Sequence, residues 1–265
     1  MPIQSVERAV RILGAFSVER PLLGITELSA MVELNQSTVH HLVRSLLRSG
    51  LIEQDPISRK YRLGLRLIEL AGTMLHSRNL AQLIQPYLHH VADVLAETSY
   101  LGVMHEGDVI NVEQVCGPHM IQYVGWQGRR TPFHCTSSGK ALVAYLPTDA
   151  LEHLIAYKGL ARFTANTITD PSELKRHLAK VREQGYAINI GELEDHNNAI
   201  AVPIWAQNGD RVAAALGVVG PSYRFKETNC HEAAPFLKSV AQEISSVVHV
   251  DDLASLPSLE AALGL

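Results

Sequence analysis

The sequence predicts an α+β chain in two parts: a small helical head closed by a hairpin over 1–65 and an α/β body over 80–252, joined by a linker helix at 66–79. Three observations carry this. Apolar residues recur at helical spacing through the first fifty positions and then give way to two short strand-like runs. From residue 99 onward strand-like runs alternate with helical ones. Charge is also divided between the ends, with 9 Lys/Arg against 6 Asp/Glu in 1–66 but 14 against 21 in 67–265. The overall −4 therefore hides a head of +3 and a body of −7, an asymmetry expected when one part faces nucleic acid and the other avoids polyanions.

In the head, Val6, Val10, Leu13 and Phe16 mark one face of a first helix. Thr26 is an N-cap candidate for a short second helix carrying Leu28, Met31 and Val32. Leu34-Asn35-Gln36 makes a turn, and Asn35 or Ser37 can cap a third helix that buries Val39, Leu42, Val43, Leu46 and Leu47. That helix stops at Ser49-Gly50, where glycine accepts the left-handed conformation. Two strands, Leu51–Gln54 and Lys60–Leu63, flank the turn-rich Asp55-Pro56-Ile57-Ser58-Arg59. Helix, short helix, tight turn, longer helix and hairpin is the winged helix-turn-helix order, although a three-helix packing unit with no nucleic-acid role has the same apolar pattern.

The polar face of the third helix separates the two. Gln36, Ser37, Thr38, His40, His41, Arg44, Ser45 and Arg48 are donors and acceptors suited to base edges and phosphates, and no acidic residue interrupts them. Major-groove entry is expected for Gln36, Ser37, Thr38, His40, His41 and Arg44, with phosphate contacts from Ser5, Arg8 and Thr26. Arg59 and Lys60 at the wing should reach the flanking backbone. One of the two histidines could instead cover the edge of the first helix, but His41 and Arg44 lie three apart on the Ser37 side.

The linker carries Leu67, Ile68, Leu70, Ala71, Met74 and Leu75, apolar on more than one side. It needs a partner, most simply its own copy in a dimer. Leu80 to Glu97 continues in helical period, with Pro86 expected to kink it or mark its start. Strands are expected at Tyr100–Met104, Val109–Val115, Ala199–Trp205 and Arg211–Val219, the last two flanking a hairpin signal at Asn208-Gly209. Asp170-Pro171-Ser172-Glu173 opens a helix running through Arg182, and a last helix spans about Glu232 to Val248.

Composition excludes other classes. Hydrophobic residues at 46% and charged residues at 19% exclude disorder. No apolar run approaches the roughly 18 residues of a membrane span, and Met1-Pro2-Ile3-Gln4-Ser5 has no basic or apolar leader character, so a cytoplasmic protein without membrane contact is expected. Cys116, Cys135 and Cys230 are too scattered for a disulfide framework.

Ser137 is placed to cap a helix through Tyr145, which would leave the N–H groups of Ser138, Gly139 and Lys140 for a carboxylate. An ordinary capped helix reads the same way. Ser137 and Lys140 also match the spacing of penicillin-recognising serine hydrolases, but the companion Ser-Asp-Asn and Lys-Thr-Gly elements are missing and no catalytic residue is assigned. Cys116 with His119, His134-Cys135 and Cys230-His231 raise a metal-responsive alternative. Their spacings are not those of structural zinc sites, and buried cysteines commonly behave as small apolar residues. Neither a metal nor a cofactor is expected.

The chain resembles the isocitrate lyase regulator (IclR) family of bacterial transcription factors along nearly its whole length. The head carries the likeness in Gln4-Ser5-Val6-Glu7-Arg8-Ala9, Ser37-Thr38-Val39-His40-His41-Leu42 and Lys60-Tyr61-Arg62-Leu63-Gly64. The body carries it in Gly128-Arg129-Arg130-Thr131-Pro132-Phe133-His134, Gly139-Lys140-Ala141, Arg182-Glu183-Gln184-Gly185-Tyr186-Ala187 and Gly220-Pro221. The resemblance implies a winged helix-turn-helix on a GAF-like effector domain, assembled as a dimer or tetramer, whose binding to a double-stranded DNA operator answers to a small organic acid.

It also implies an effector pocket at Ser137, Ser138 and Gly139. Members that bind small acids often carry an acidic residue, a cysteine and two hydroxyls where this chain has Asn189, Ala199, Gly217 and Val219. The expected pocket therefore keeps a carboxylate anchor but has a smaller, more apolar far wall, with Met120, Tyr123 and Trp126 beside it. That suits a mono-carboxylate of intermediate size, aromatic or sugar-derived, better than glyoxylate or pyruvate.

Overall fold

The computed structural model describes residues 3–17, 20–78, 80–124, 127–206, 209 and 211–247, with the backbone path alone over 74–78 and 80–82. The chain divides into two compact units, Met1–Asn79 and Leu80–Leu265.

The first unit holds α1 (Gln4–Gly14), α2 (Ile25–Val32), α3 (Gln36–Arg48), β1 (Ile52–Gln54), β2 (Tyr61–Leu63) and α4 (Arg66–Arg78). Its core gathers Ile12 and Phe16 of the α1 segment with Leu28, Val39, Val43, Leu46 and Ile52. The packed face of α1 is Ala9, Ile12, Leu13 and Phe16, not the Val6–Val10 edge expected from spacing; those two valines are 57% and 61% exposed. Both stripes have helical period, and contact with α2 and α3 selects the one containing Ile12.

Thr26 does not cap α2. Gly24 is the N-cap, and the Glu27 carboxylate accepts its N–H at 2.7 Å, so Thr26 falls within the first turn. Asn35 does cap α3, its Oδ1 accepting the Thr38 N–H at 2.8 Å. Gly50, with φ of +72°, follows the helix end. The wing pairs Ile52 with Leu63 and Gln54 with Tyr61. Leu23 joins by exchanging both backbone bonds with Tyr61, tying the wing to the segment ahead of α2.

In the second unit α5 (Leu80–Leu95) contains Pro86 in its interior, so the proline does not mark its start. After it come β3 (Thr98–His105), β4 (Asp108–Val115), β5 (Arg130–Pro132), α6 (Ser137–Val143), α7 (Thr148–Lys158), α8 (Pro171–Gln184), β6 (Ala187–Ile190), β7 (Asn197–Trp205), β8 (Val212–Pro221) and α9 (Glu227–Val247). The described strands form one sheet in the order β5-β4-β3-β8-β7-β6, antiparallel at every pair. Leu101, Val103, Ile200, Val202, Leu216 and Val218 pack with α5 and α9 in one apolar layer. Ala201 and Ala215 face the other way, joining Leu142, Val143, Leu154, Leu174 and Leu178 of α6 to α8. Burial on both faces explains why the strands read as near-continuous apolar runs rather than as strict alternation.

The α8 cap follows expectation, with Asp170 Oδ1 accepting the Glu173 N–H at 2.7 Å. Helix α9 starts earlier than the apolar period suggested, because Glu227, Thr228 and Asn229 add a polar first turn. Short β5 and β6 and helix α7 go beyond the sequence reading. Asn208 of the expected hairpin lies outside the described residues.

Candidate functional site

Two surfaces carry the polar groups singled out above. On α3, Gln36, Ser37, His40, His41, Arg44 and Arg48 are exposed and Thr38 is half-buried, while Val39, Val43 and Leu46 anchor the opposite side. Ser37 donates to the capping Asn35 Oδ1 at 2.8 Å, and Gln36 reaches Thr26 Oγ1 at 3.4 Å, which draws α2 and α3 together at their N-termini. Among the described residues the ion pairs of this unit lie off α3: Lys60 with Glu27, Arg62 with Glu53, and Arg66 with Glu69. Arg44 and Arg48 have no acidic partner among the described residues, so α3 presents uncompensated positive charge.

Ser5 is exposed at the start of α1, whereas Arg8 is half-buried with an unpartnered Nε. At the wing the tip itself is Ile57, 91% exposed, in a turn organised by Asp55 Oδ1, which accepts the Ser58 N–H at 2.7 Å. Arg59 follows with a left-handed φ of +60° and an exposed side chain. Lys60 lies one residue further on and is held 3.0 Å from Glu27, so it brings less free charge to a phosphate than its position suggested.

In the second unit a cavity opens on the α6 face of the sheet. Tyr100, Asn111, Gln114 and Thr131 line it from β3 to β5, and Asn189, Asn197, Ala199 and Val219 line it from β6 to β8. Thr136, Ser137 and Ser138 close it from the start of α6, with Leu193 at the side. Most of these groups are hydroxyls and amides, and none of the described lining residues is charged. As it stands the cavity is narrow, about 40 Å³, room for a few waters but well below the roughly 300 Å³ at which ligand pockets usually begin.

Several expectations need correction. The cap of α6 is Thr136, not Ser137: its Oγ1 accepts the Gly139 N–H at 3.2 Å, and its carbonyl accepts that of Lys140. Only the Ser137 and Ser138 N–H groups are therefore left over, at a helix of just seven residues. Gly139 faces the backbone of Phe133, where an added Cβ would lie 2.3 Å from the carbonyl oxygen. Its role is close packing.

Gly217 does not open the far wall. Tyr100 pairs with it across β3 and β8, and a Cβ there would lie 2.2 Å from Tyr100 Cζ. The ring fills the vacated space, and its hydroxyl lies 3.0 Å from Ser137 Oγ. Burial holds the Tyr100 hydroxyl above its ordinary pKa, so it remains a neutral donor or acceptor. Met120 is fully exposed and away from the cavity. Tyr123 is half-buried and reaches the site indirectly, through its hydrogen bond to Asn197. Trp126 lies outside the described residues.

Asn189 offers less than its amide promised. Its Oδ1 accepts the Glu192 N–H at 2.7 Å, leaving the amide nitrogen as the group free to bond elsewhere. Behind it, Lys140 is wholly buried with Nζ 2.5 Å from Glu192 Oε1. Burial pulls the ammonium below its ordinary range and pushes the carboxyl above its own, and the mutual attraction opposes both shifts. Ser137 and Lys140 thus have separate partners, Tyr100 and Glu192, and do not form the nucleophile–base pair of a hydrolase.

The metal-responsive arrangement has no geometric support either, since no group of three candidate ligands converges among the described residues. Burial pushes the Cys135 and Cys230 thiols up to about 12, as for small residues packed in the core. Tyr100, Asn111, Gln114, Thr131 and Asn197 escaped the sequence reading. The available signal was polar residues placed inside strands otherwise rich in valine and isoleucine.

A winged helix-turn-helix with an uncompensated cationic recognition helix, followed by an α/β domain with a buried polar cavity, is the build of a ligand-responsive transcriptional regulator. The chain belongs to the IclR family. Residues 72–246 match the bacterial transcriptional regulator IclR C-terminal domain and residues 5–56 the IclR helix-turn-helix domain. It is 35% identical over 219 residues to the HTH-type transcriptional regulator XynR of Escherichia coli K12, covering 82% of this chain and 86% of that one. An IclR regulator from Alicyclobacillus acidocaldarius superposes with a TM-score of 0.83 at 26% identity, over 93% of this chain and 99% of that one. An IclR homologue complexed with 4-hydroxybenzoate, from Microbacterium hydrocarbonoxydans, superposes at 0.74 with 28% identity, over 95% and 100%. The protein is thus a DNA-binding regulator with an effector domain. Among the described residues no helix is long and apolar enough to cross a membrane.

Proposed function

We propose that a dimer of this protein binds a pseudo-palindromic operator through α3 and releases or rearranges on it when a small organic acid enters the cavity beside Ser137. The observation that carries the effector half is the cavity whose described lining is uncharged and rich in hydroxyls and amides, closed by Ser137 and Ser138. The two serine hydroxyls, their backbone N–H groups and the Asn189 amide supply donors for one carboxylate. The lining mixes hydroxyls and amides with Leu193, Ala199 and Val219, which suits an acid whose arm combines apolar and hydroxylated parts, aromatic or sugar-derived. Entry of such a ligand requires the Tyr100 ring to move, which ties occupancy to the β3–α6 contact. The IclR homologue crystallised with 4-hydroxybenzoate supports a mono-carboxylate as the ligand.

Dimer formation rests on the linker. Leu65 and Ile68 are each 68% exposed and Leu70 48%, with Ala71 exposed and Leu67 half-buried beside them; the Met74 side chain is outside the described residues. Two heads joined this way would read half-sites about one helical turn apart. In this reading Gln36, Ser37, Thr38, His40, His41 and Arg44 address bases, while Ser5, Arg8, Thr26, Arg59 and Lys60 hold phosphate.

Arg44→Ala should weaken specific binding by about 1–3 kcal/mol and relax selectivity at one operator position. Anisotropy titrations against single-base operator variants would show it; a uniform loss across all sequences would reassign Arg44 to phosphate. Ser137→Ala should leave ligand-free operator binding intact while reducing the response to an acid that dissociates the wild-type complex. An undiminished response would remove Ser137 from the site.

A further inference from the structure

The cavity contains two buried polar atoms that the fold does not satisfy. Asn111 on β4 is 5% exposed and Thr131 on β5 is 2% exposed, and neither Asn111 Oδ1 nor Thr131 Oγ1 has a hydrogen-bond partner. Both residues line the cavity that Ser137 and Ser138 close. Native folds rarely leave such groups unpaired, so two lining the same cavity call for an occupant.

Their positions are fixed by the sheet. Asn111 pairs with Gly102 across β3 and β4, and Thr131 pairs with Val109 across β4 and β5. A Cβ on Gly102 would lie 3.5 Å from Asn111 Oδ1 and 3.3 Å from Ser138 Cβ. The bare backbone of Gly102 is thus where the unsatisfied amide oxygen and the carboxylate-side serine approach each other. Asn111 Oδ1 can only accept; the Thr131 hydroxyl can donate. A group that donates to one and accepts from the other complements both, as a hydroxyl does. A second carboxylate would repel the amide oxygen and find no cation among the described lining residues. A methyl or hydrogen would leave both atoms unpaired.

We propose that Asn111 and Thr131 form a hydroxyl-recognising subsite, selecting an acid that carries a hydroxyl in addition to its carboxylate. This rests on the reading of the cavity as the effector site. In it the ligand hydroxyl donates to Asn111 Oδ1 and accepts from Thr131 Oγ1, and Asn111 and Thr131 are specificity residues rather than anchors.

The test uses the full chain and two matched pairs of acids, 3-hydroxypropanoate with propanoate and 4-hydroxybenzoate with benzoate, measured by calorimetry on wild type and Thr131→Val. Valine keeps the volume and β-branching of threonine and removes only the hydroxyl. In wild type the hydroxylated member of at least one pair should bind tenfold or more tightly than its partner, and in Thr131→Val that preference should shrink below threefold. The melting temperature of ligand-free Thr131→Val should equal or exceed that of wild type, because an unsatisfied group is lost. A preference that survives Thr131→Val overturns the subsite. So does a ligand-free melting temperature lowered by several degrees, which would show the hydroxyl satisfied by ordered water as part of the fold. Equal binding of both members of each pair overturns the proposal while leaving the carboxylate site standing. Failure of all four acids to bind overturns the carboxylate reading itself, and the melting comparison then decides separately whether the Thr131 hydroxyl is unsatisfied.

Discussion

Glu192→Leu should lower the unfolding free energy by about 3–5 kcal/mol, because it strands the Lys140 ammonium where no water reaches it. Lys140→Met should cost a similar amount by stranding the carboxylate. The double variant should recover most of the loss, since an apolar pair replaces a desolvated ionic one. Denaturant titration of the four proteins closes the cycle. Additive losses would mean that the two side chains do not depend on each other, against the 2.5 Å contact between them. The pair also joins the start of α6 to the loop after β6, so either single variant should blunt the response to an acid even at temperatures where the chain stays folded.

Gly217→Ser should cost about 1–3 kcal/mol, by overpacking. The introduced Cβ meets the Tyr100 ring at 2.2 Å, so the ring must leave and its hydroxyl contact with Ser137 is lost. In a Tyr100→Ala background the same substitution should cost less than half as much, and thermal melts of the cycle would read the difference. Equal costs in both backgrounds would show that the ring does not fill this space. The sequence suggested that Gly217 merely leaves the far wall smaller and more apolar, whereas the Tyr100 ring occupies that space. Any side chain at 217 must first displace the tyrosine.

The head was legible because local rules decide it. The Asn35 cap, the Gly50 stop, the Asp55-Pro56 turn and the acid-free face of α3 each follow from near neighbours in the chain. Where it misled, as at Val6 and Val10, two stripes on α1 had equal period and only tertiary packing chose between them. The pocket was legible in part. The helix start at Ser137 and Ser138 was visible locally, but its place in a pocket, like that of Asn189, Ala199 and Val219, came from a resemblance.

Asn111 and Thr131 were hidden because they are polar residues on the inward face of their strands. On β4 the most buried side chains are Val109, Asn111 and Glu113, while Ile110 and Val112 are half-buried, so hydropathy alone gives no reason to turn the asparagine inward. Tyr100 was hidden for a different reason. Its effect on Gly217 is a cross-strand relation between residues more than a hundred positions apart, and no local pattern reports it.

The central claim is that the cationic face of α3 reads a DNA sequence. It is tested most directly by titrating the full-length protein onto the promoter region of its own gene and onto random duplex of equal length, at physiological salt. The account predicts binding to the promoter region at least a thousandfold tighter, at a two-fold symmetric site. Equal affinity for both duplexes, falling together as salt is raised, would contradict it.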